Sequence, residues 1–350
     1  MKQIKVGLVG VTGYTGMELA RLMENHPSMT LACVTSRSEA GQPLCAIYPF
    51  LQDMKAGDII ISQPEPELLA SRCDLVFLAV PHGAAMEMAA ALRAKNLKVV
   101  DLSADFRLRD ASVFKQWYKA DHTQTECLAE AVYGLPELHA ADIAKASLVA
   151  NPGCYPTASI LGLAPALRRG FIKTDGIVID AKSGVSGAGR GANIGSLFCE
   201  VSDTFKAYNL TKHRHTPEIE QELSLVAGRD IILSFNPHLL PVNRGILATM
   251  YADLADCHDL DAIHAAYTAD YAHNEFVRVL PKGNMPELRY VRGTMYCDIG
   301  LAVDMRTQRL IIVSAIDNLC RGASGQAIAN ANLMTGLPLG TGLRFAPMVP

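Results

Sequence analysis

One cysteine and two closely spaced histidines are the residues of this chain best suited to covalent chemistry. Cys154 lies in the turn 151–157, Asn-Pro-Gly-Cys-Tyr-Pro-Thr, between a short apolar strand pattern at 146–150 and an apolar helical run at 158–169. At the start of a helix, unpaired N–H groups and the positive end of the helix dipole favour the nucleophilic thiolate. On position alone, the alternative is a buried structural cysteine, which is the usual state of a free cysteine.

The histidine pair is predicted to lie at the mouth of a helix. His213 and His215 stand in the sequence Lys-His-Arg-His-Thr-Pro-Glu, in which Thr216 is the expected N-cap and Pro217 the first helical residue. Two histidines could ligate a metal, but no third-ligand motif such as His-Glu-x-x-His is present, so we expect no metal site. A general acid/base acting with Cys154 explains the pair more economically.

A glycine-rich turn near the N-terminus predicts a dinucleotide site. The apolar strand 4–9 runs into Gly-Val-Thr-Gly-Tyr-Thr-Gly and then into a helical pattern. The first glycine permits a tight turn, the second lets backbone approach a pyrophosphate, and the third allows close helix–strand packing. The alternative is a βα turn without a ligand, and no Gly-Lys-Ser/Thr follows to indicate a P-loop. The predicted cofactor-binding residues are Gly10, Thr12, Gly13, Tyr14, Thr15 and Gly16.

The second predicted strand, 30–35, indicates which cofactor is preferred. An acidic residue at its end would select NAD by accepting a hydrogen bond from the ribose 2′-hydroxyl, but the sequence there is Ser36-Arg37-Ser38. A guanidinium flanked by hydroxyls suits the additional phosphate of NADP. The alternative is an exposed loop arginine without a ligand.

Two more strand patterns, 74–80 and 98–102, alternate with a helical pattern at 83–94 and predict a Rossmann-like, doubly wound parallel sheet. Ligands of such sheets bind outside the carboxyl ends of the strands. Arg107 follows the strand 98–102, where its fork of donors could hold a carboxylate or phosphate. A structural salt bridge is an equally good interpretation.

The second half of the chain has a different pattern. A strand at 176–181 leads into Lys-Ser-Gly-Val-Ser-Gly-Ala-Gly-Arg-Gly, a loop in which four glycines among ten residues expose backbone and Ser186 and Arg190 offer polar contacts. The alternative there is a flexible linker. The turn 243–245, Asn-Arg-Gly, is either an anion contact or an ordinary turn. Further strands are predicted at 230–235, 245–252, 276–280, 296–303 and 309–316, followed by a helix at 317–327.

These patterns predict an α/β protein with a second, α+β domain carrying a mixed or antiparallel sheet. A chain of 350 residues is too long for one ordinary core, which supports two domains. We expect residues 1–153 and 317–350 to form the cofactor-binding domain. We expect residues 154–316 to form the catalytic, substrate and oligomerisation domain.

Composition excludes several classes of partner. The chain has 32 Lys and Arg against 35 Asp and Glu without a run of like charges, so we expect neither nucleic acid nor a membrane surface as a partner. No apolar stretch approaches the roughly 20 residues of a membrane span. The nine cysteines are scattered without a Cys-x-x-Cys, which favours a reducing compartment and a cytoplasmic protein.

A hydride-donating cofactor, a cysteine and a histidine together predict oxidoreduction at the acyl level. Cys154 would attack an acyl phosphate, phosphate would leave, and the resulting thioester would be reduced by NADPH to an aldehyde. A histidine would supply and then remove the proton on the substrate oxygen.

The motifs themselves resemble those of the N-acetyl-gamma-glutamyl-phosphate reductases of arginine biosynthesis and, more distantly, the aspartate-semialdehyde dehydrogenases. The block Val-Ala-Asn-Pro-Gly-Cys-Tyr-Pro-Thr-Ala at 149–158 is similar to the reductases' active-site signature. Blocks that resemble those of the same reductases cover nearly the whole chain, at 10–16, 101–107, 183–190, 213–218 and 317–326.

The resemblance implies roles for particular residues. Cys154 would be the nucleophile and a histidine of the pair the acid/base, for which we favour His215 over His213 because it directly precedes the helix. NADP would be bound at the glycine turn and the Ser-Arg-Ser sequence, and Arg107 would contact a phosphate or carboxylate. Contacts near the nicotinamide would come from Gly184, Gly187 and Asn318. The resemblance also implies a homotetramer or homodimer.

Other functions remain compatible with the sequence. Within the same superfamily, aspartate semialdehyde or a lysine-pathway compound could be the substrate. A non-enzymatic NADP-sensing protein would have lost the cysteine or the histidines, yet all are present. A thiol hydrolase using Cys154 and His215 would leave the N-terminal glycine turn without a role.

Overall fold

The chain folds into two compact units. The computed structural model describes residues 3–256 and 258–349. The first unit consists of the described residues of Met1–Pro152 and Ala323–Arg344, and the second consists of those of Gly153–Gly322 and Phe345–Pro350. The functional division proposed above, at residues 153 and 317, stays a prediction.

The first unit is built on six parallel strands in the order β2-β1-β3-β4-β6-β5. All four residues of β3 are buried, as expected of a parallel strand covered on both faces. The strands are β1 (Ile4–Val9), β2 (Met29–Thr35), β3 (Leu75–Leu78), β4 (Lys98–Asp101), β5 (Val132–Tyr133) and β6 (Leu148–Ala150). The helices are α1 (Tyr14–Met23), α2 (Leu44–Ile47), α3 (Pro66–Arg72), α4 (Met86–Ala94), α5 (Ala111–Tyr118), α6 (Thr125–Glu130) and α7 (Pro136–Ile143).

This strand order identifies where the first unit would bind a ligand. The chain goes from β1 outward to β2 and then returns to β3 on the other side of β1. In open parallel sheets, ligands bind at such a reversal, outside the carboxyl ends of the two strands. The glycine turn that follows Val9 lies at this position, so the predicted Rossmann-like topology is confirmed.

The second unit has a seven-stranded mixed sheet in the order β11-β12-β13-β10-β7-β9-β8. The β7–β9 and β11–β12 pairs are parallel, and the remaining pairs are antiparallel. The strands are β7 (Val178–Gly184), β8 (Lys206–Ala207), β9 (Ser234–Leu240), β10 (Ile246–Asp253), β11 (Val277–Val279), β12 (Cys297–Asp304) and β13 (Arg309–Ile316). The helices are α8 (Cys154–Arg168), α9 (Phe198–Val201), α10 (Thr216–Ala227) and α11 (Leu260–Tyr271), and the chain's last helix, α12 (Gly325–Met334), belongs to the first unit.

Helix α8 is the central element of the second unit. Every residue from Tyr155 to Leu167 is buried, which explains why its sequence is apolar on all sides. Gly162 lets the helix lie close to the sheet, because a Cβ there would stand 2.4 Å from Met250 Cε. The hydroxyl of Ser314 donates to the Ala158 carbonyl over 2.8 Å and fixes the helix to β13. The packing of the whole helix against the sheet therefore fixes the position of its first residue.

Several predicted boundaries are confirmed, and others are wrong. The strands 4–9 and 309–316 match β1 and β13 to the residue. The predicted strand 230–235 is instead Ser234–Leu240, because that segment pairs in parallel with β7 while Ile232 remains exposed. The predicted strand 176–181 is observed at Val178–Gly184.

The predicted helix 317–327 is a further correction. A π-helical turn, Cys320–Ser324, precedes α12, which begins only at Gly325. The Asp317 carboxylate accepts the backbone N–H groups of residues 319 and 320, and these bonds hold the chain in a turn before the helix starts.

Two further observations concern the described part of the chain. Among residues 3–256 and 258–349, no helix is long and apolar enough to cross a membrane. None of the eight cysteines that the structure describes forms a disulfide.

Candidate active site

Cys154 is the first residue of α8. Its N-cap, Gly153, has extended backbone angles, φ −68° and ψ 157°, and both the N–H and the hydroxyl of Thr157 donate to the Gly153 carbonyl. The thiol is half-buried. The expected position at a helix N-terminus is confirmed, and it favours the thiolate through the helix dipole.

A glycine in the turn before α12 leaves room for this cysteine. A Cβ on Gly322 would lie 2.7 Å from Cys154 Cβ and 3.0 Å from Cys154 Cα. Real Cβ atoms do not approach other atoms so closely, so any larger residue would displace the nucleophile or the turn. The small residues around 322 predict close packing, which Gly322 provides at Cys154.

The histidines lie beside the start of α8, on the segment that leads into α10. His215 is the N-cap of α10, and Thr216, predicted to be the cap, is the first helical residue instead. The His213 and His215 rings lie 4.9 Å apart between centroids. The ring of Tyr155, the residue after the nucleophile, packs edge-on against both, at 5.5 Å and 5.9 Å. The cysteine and histidine blocks of the sequence are thus brought together.

His213 is enclosed by aromatic side chains. Besides Tyr155, the rings of Tyr208 and Phe235 lie 5.6 Å and 5.3 Å from it. Burial, reinforced by the Arg214 guanidinium, lowers the pKa of His213 to about 4. Its Nδ1 accepts the backbone N–H of His215 over 3.2 Å, so the neutral ring carries its proton on Nε2. His213 is therefore uncharged near neutral pH.

Two tyrosine hydroxyls complete this part of the site. Tyr155 donates to the His238 carbonyl over 3.1 Å, and the Tyr208 hydroxyl lies 3.0 Å from the Tyr155 oxygen. Because the Tyr155 proton goes to the carbonyl, Tyr208 is the donor between the two hydroxyls. Burial raises the pKa of Tyr208 to about 12 and also raises the pKa of Tyr155, so both stay protonated. Sequence patterns alone single out neither tyrosine as a functional residue.

A buried glutamate joins the two helix starts. Glu218, in the first turn of α10, is 1% exposed, and its Oε1 accepts the Gly153 N–H over 2.8 Å. Gly153 is the N-cap of the helix that begins with the nucleophile. The one sequence signal that could have found Glu218 is its place three residues after His215, which is typical of a helix capping position.

The loop after β7 is more ordered than a linker. Gly184 ends the strand, and a Cβ there would lie 2.8 Å from the Asn243 carbonyl oxygen. Gly187 lies in a short 3₁₀ turn, Val185–Ala188, where a Cβ would stand 2.7 Å from Ser183 Oγ. Both glycines are explained by close packing within the second unit. Arg190 follows on the exposed part of the loop.

Asn318 and the turn 243–245 are connected by hydrogen bonds. Asn318 Oδ1 accepts the Gly245 N–H over 2.7 Å, and its Nδ2 donates to Ser186 Oγ over 3.0 Å. Arg244 forms a two-pronged ion pair with Asp317, at 2.9 Å and 2.8 Å. The turn 243–245 could be an anion contact or an ordinary turn, and these bonds within the chain favour an ordinary turn. Asn318 thereby links the Gly245 backbone to the Ser186 side chain.

In the first unit, the glycine turn has the geometry that a dinucleotide requires. Gly10 has φ +87°, and a Cβ there would stand 2.3 Å from the Ala79 carbonyl oxygen. Gly16 lies against the turn itself, where a Cβ would stand 2.6 Å from the Gly10 carbonyl oxygen. At Gly13, the N-cap of α1, a Cβ would meet nothing closer than 4.0 Å. Backbone is therefore open to a phosphate at the helix N-terminus, beside the side chains of Thr12, Tyr14 and Thr15.

The end of β2 lies beside this turn. The Thr35 carbonyl accepts the N–H groups of Gly10 and Val11, so the residues that follow Thr35 adjoin the glycine turn. Ser36 is buried, its hydroxyl lies 3.4 Å from that of Ser38, and Arg37 is exposed. A solvent-facing guanidinium at this strand end fits the 2′-phosphate of NADP.

Arg107 is a buried residue of the first unit that stabilises neighbouring backbone. It is 6% exposed, and it donates from Nε to the Asn151 carbonyl and from Nη2 to the Leu102 carbonyl, over 2.8 Å and 2.9 Å. These bonds support the backbone that enters the turn of the nucleophile. Its role toward substrate stays a prediction.

The chain has the fold and domain content of the semialdehyde dehydrogenases. Residues 5–146 match the model of the semialdehyde dehydrogenase NAD binding domain, and residues 154–318 match that of the semialdehyde dehydrogenase dimerisation domain. Among solved structures, aspartate semialdehyde dehydrogenase II of Vibrio cholerae has a TM-score of 0.72 at 14% identity, covering 96% of this chain and 99% of that one. The enzyme of Candida albicans, solved with NADP, has a TM-score of 0.70 at 15% identity over 95% and 99%. At these identities the likeness shows the fold.

Curated relatives are much more similar in sequence. The N-acetyl-gamma-glutamyl-phosphate reductase of Desulfotalea psychrophila is 52% identical over 99% of this chain and 100% of its own length. That of Pelotomaculum thermopropionicum is 50% identical over 99% of both. The chain belongs to the N-acetyl-gamma-glutamyl-phosphate reductase family, and the resemblance drawn from its motifs is confirmed.

Proposed function

We propose that this protein reduces N-acetyl-L-glutamyl 5-phosphate with NADPH to N-acetyl-L-glutamate 5-semialdehyde and phosphate, in arginine biosynthesis. The observation that carries the proposal is Cys154 at the first position of α8, with the His213 and His215 rings packed on the adjoining Tyr155. The names of relatives about 50% identical over their full length support the substrate.

Cys154 is the nucleophile in this proposal. Its thiolate attacks the acyl carbon, the bond from that carbon to the phosphate oxygen breaks, and a thioester remains on the enzyme. Bound NADPH supplies the hydride that reduces the thioester carbonyl carbon. When the resulting hemithioacetal collapses, the carbon–sulfur bond breaks, the aldehyde leaves and the Cys154 thiolate is regenerated.

His215 is the acid/base that we assign to these steps. It gives a proton to the oxyanion formed on reduction and takes it back when the hemithioacetal collapses, so no net proton remains on the enzyme. His213 is unsuited to proton donation because its lowered pKa, about 4, keeps it neutral. We assign His213, inside its aromatic enclosure, to hydrogen bonding and to orientation of the His215 backbone.

The first unit has the features needed to hold the cofactor. The open backbone at Gly13 and the N-terminus of α1 suit the pyrophosphate, and Arg37 between Ser36 and Ser38 suits the 2′-phosphate. We therefore assign NADP rather than NAD. On the second unit, we assign Ser186 and Arg190 to substrate contacts on the loop after β7.

A second copy of the chain is the expected partner, as a homodimer or as a homotetramer built from dimers. Along β10, residues facing α8 are buried while Leu247, Thr249 and Tyr251 are only partly buried. Tyr251 pairs with Ile311 on one side and Val178 on the other, and both are also partly buried. This row lies on the sheet face opposite α8, in the region that matches a dimerisation domain, and it suits a second sheet.

A substrate panel tests the proposed function. We expect reduction of NADP with N-acetylglutamate semialdehyde to require phosphate, and to be at least about 100-fold more efficient in kcat/KM than with aspartate semialdehyde. A preference for aspartate semialdehyde would contradict this proposal and favour aspartate-semialdehyde dehydrogenase activity. NADP binding without turnover of any semialdehyde in the panel would favour a sensing protein.

A further inference from the structure

In the second unit, two helices begin at residues that the proposed mechanism uses. Helix α8 begins at Cys154, and α10 follows directly after its N-cap, His215. A buried polar side chain connects the two starts. Glu218 is 1% exposed, lies in the first turn of α10, and accepts the N–H of Gly153 over 2.8 Å.

We propose that Glu218 is a positioning residue that fixes His215 relative to the Cys154 thiol. Its hydrogen bond joins the residue before the nucleophile to the residue three after the histidine. The inference rests on the proposed roles of Cys154 and His215. It extends them by naming the contact that sets their mutual geometry.

The contact that Glu218 makes does not indicate activation of the thiol. Its oxygen accepts the N–H of the N-cap residue Gly153, and a hydrogen-bond acceptor at that position does not favour a thiolate on the next residue. The positive end of the α8 dipole is what favours the thiolate at Cys154. What Glu218 adds is therefore geometric. Displacement of a reacting group by about 1 Å can lower a rate on the order of 10²-fold.

Packing alone does not set this geometry. The Tyr155 ring contacts both imidazoles, but ring-edge contacts at 5.5 Å and 5.9 Å tolerate sliding. A buried hydrogen bond from a backbone N–H to a side-chain oxygen is directional, and this one is 2.8 Å long. It fixes the rotation of α10 about its axis and, with it, the direction of its N-cap.

The test compares three variants in the phosphate-dependent assay with N-acetylglutamate semialdehyde. We expect Glu218→Ala to lower kcat about 10- to 100-fold with KM changed less than about threefold. Glu218→Gln should stay within about fivefold of wild type, because its amide oxygen accepts the same N–H. Glu222→Gln, on a carboxylate buried one turn later in α10, is the matched control and should stay close to wild type.

A substrate-free readout separates this inference from the proposed function. If His215 is held near the thiol as proposed, the pH profile of Cys154 alkylation by iodoacetamide should show an inflection from the His215 imidazole in wild type, and lose it in both Glu218→Ala and His215→Ala. Wild-type kcat and an unchanged profile in Glu218→Ala would overturn the positioning role, as would equal losses in Glu218→Gln and Glu218→Ala. If wild type turned over no semialdehyde, the function would fail, and the alkylation profiles alone would decide the role of Glu218.

Discussion

At the scale of single residues, the main outcome is a division of labour between two neighbouring histidines. The sequence places His213 and His215 in equivalent positions before a helix. The structure distinguishes them, because His213 is enclosed by rings and its Nδ1 already accepts a hydrogen bond, whereas His215 is the N-cap itself. Enclosure by rings from other segments is a tertiary property, and no spacing rule could have supplied it.

This difference predicts separate pH dependences for the two alanine variants. A lowered pKa means that His213 is protonated only below about pH 4, so it contributes no ionisation to catalysis between about pH 5 and 9. His215→Ala should lose about 10²- to 10⁴-fold in kcat and flatten the profile of kcat/KM. His213→Ala should lose less and keep the wild-type shape. A flattened profile in His213→Ala alone would reverse the assignment.

A second residue-scale prediction concerns Arg37. Replacing it with Asp should lower the kcat/KM for NADP relative to NAD by about 10- to 100-fold, because a charge-assisted bond to the 2′-phosphate is lost. Arg72, on α3, offers a control for removing an arginine from the same unit. An unchanged NADP preference in Arg37→Asp would contradict the phosphate contact.

At the scale of elements, the glycines show how far sequence reasoning reaches. The spacing predicts the turn 10–16, and the positive φ of Gly10 and the close packing of Gly16 agree with it. Gly184 and Gly187 pack against the Asn243 backbone and the Ser183 side chain, and their own sequence does not indicate this packing. Their contact with the nicotinamide stays a prediction. Local turn chemistry is encoded in adjacent residues, whereas a close approach between distant segments is not.

The turn before α12 gives a prediction at this scale. Gly322→Ala would place a methyl group 2.7 Å from Cys154 Cβ, so the first turn of α8 must shift. We expect a loss of roughly 10-fold or more in kcat with a small change in thermal stability, as measured by kinetics and calorimetry. The control variant is Ala323→Ser, at the adjoining position. Gly336→Ala would be a poor control because Gly336 has φ +76°, where any side chain is strained. Full activity in Gly322→Ala would show that the turn adapts freely.

At the scale of the whole molecule, the sequence predicts two unlike halves, and both sheets confirm it. Alternating strands and helices specify a parallel sheet, and closely spaced strands specify a mixed one. Predicted strand bounds are wrong where pairing between distant segments determines the strand. At β9, pairing with β7 includes Ser234–Leu240 in the sheet, Pro237 among them. The site residues Tyr155, Tyr208 and Glu218 escape prediction because their roles depend on contacts between segments far apart in the chain.

The thioester proposed on Cys154 can be detected directly. Wild type mixed with NADP and N-acetylglutamate semialdehyde without phosphate should form one equivalent of NADPH per subunit in a burst and then nearly stop. Mass spectrometry should find the acyl group on Cys154, and added phosphate should release it. Cys154→Ala should give no burst while binding NADP with nearly wild-type affinity. Steady turnover without phosphate, or a burst with no adduct on Cys154, would contradict the account.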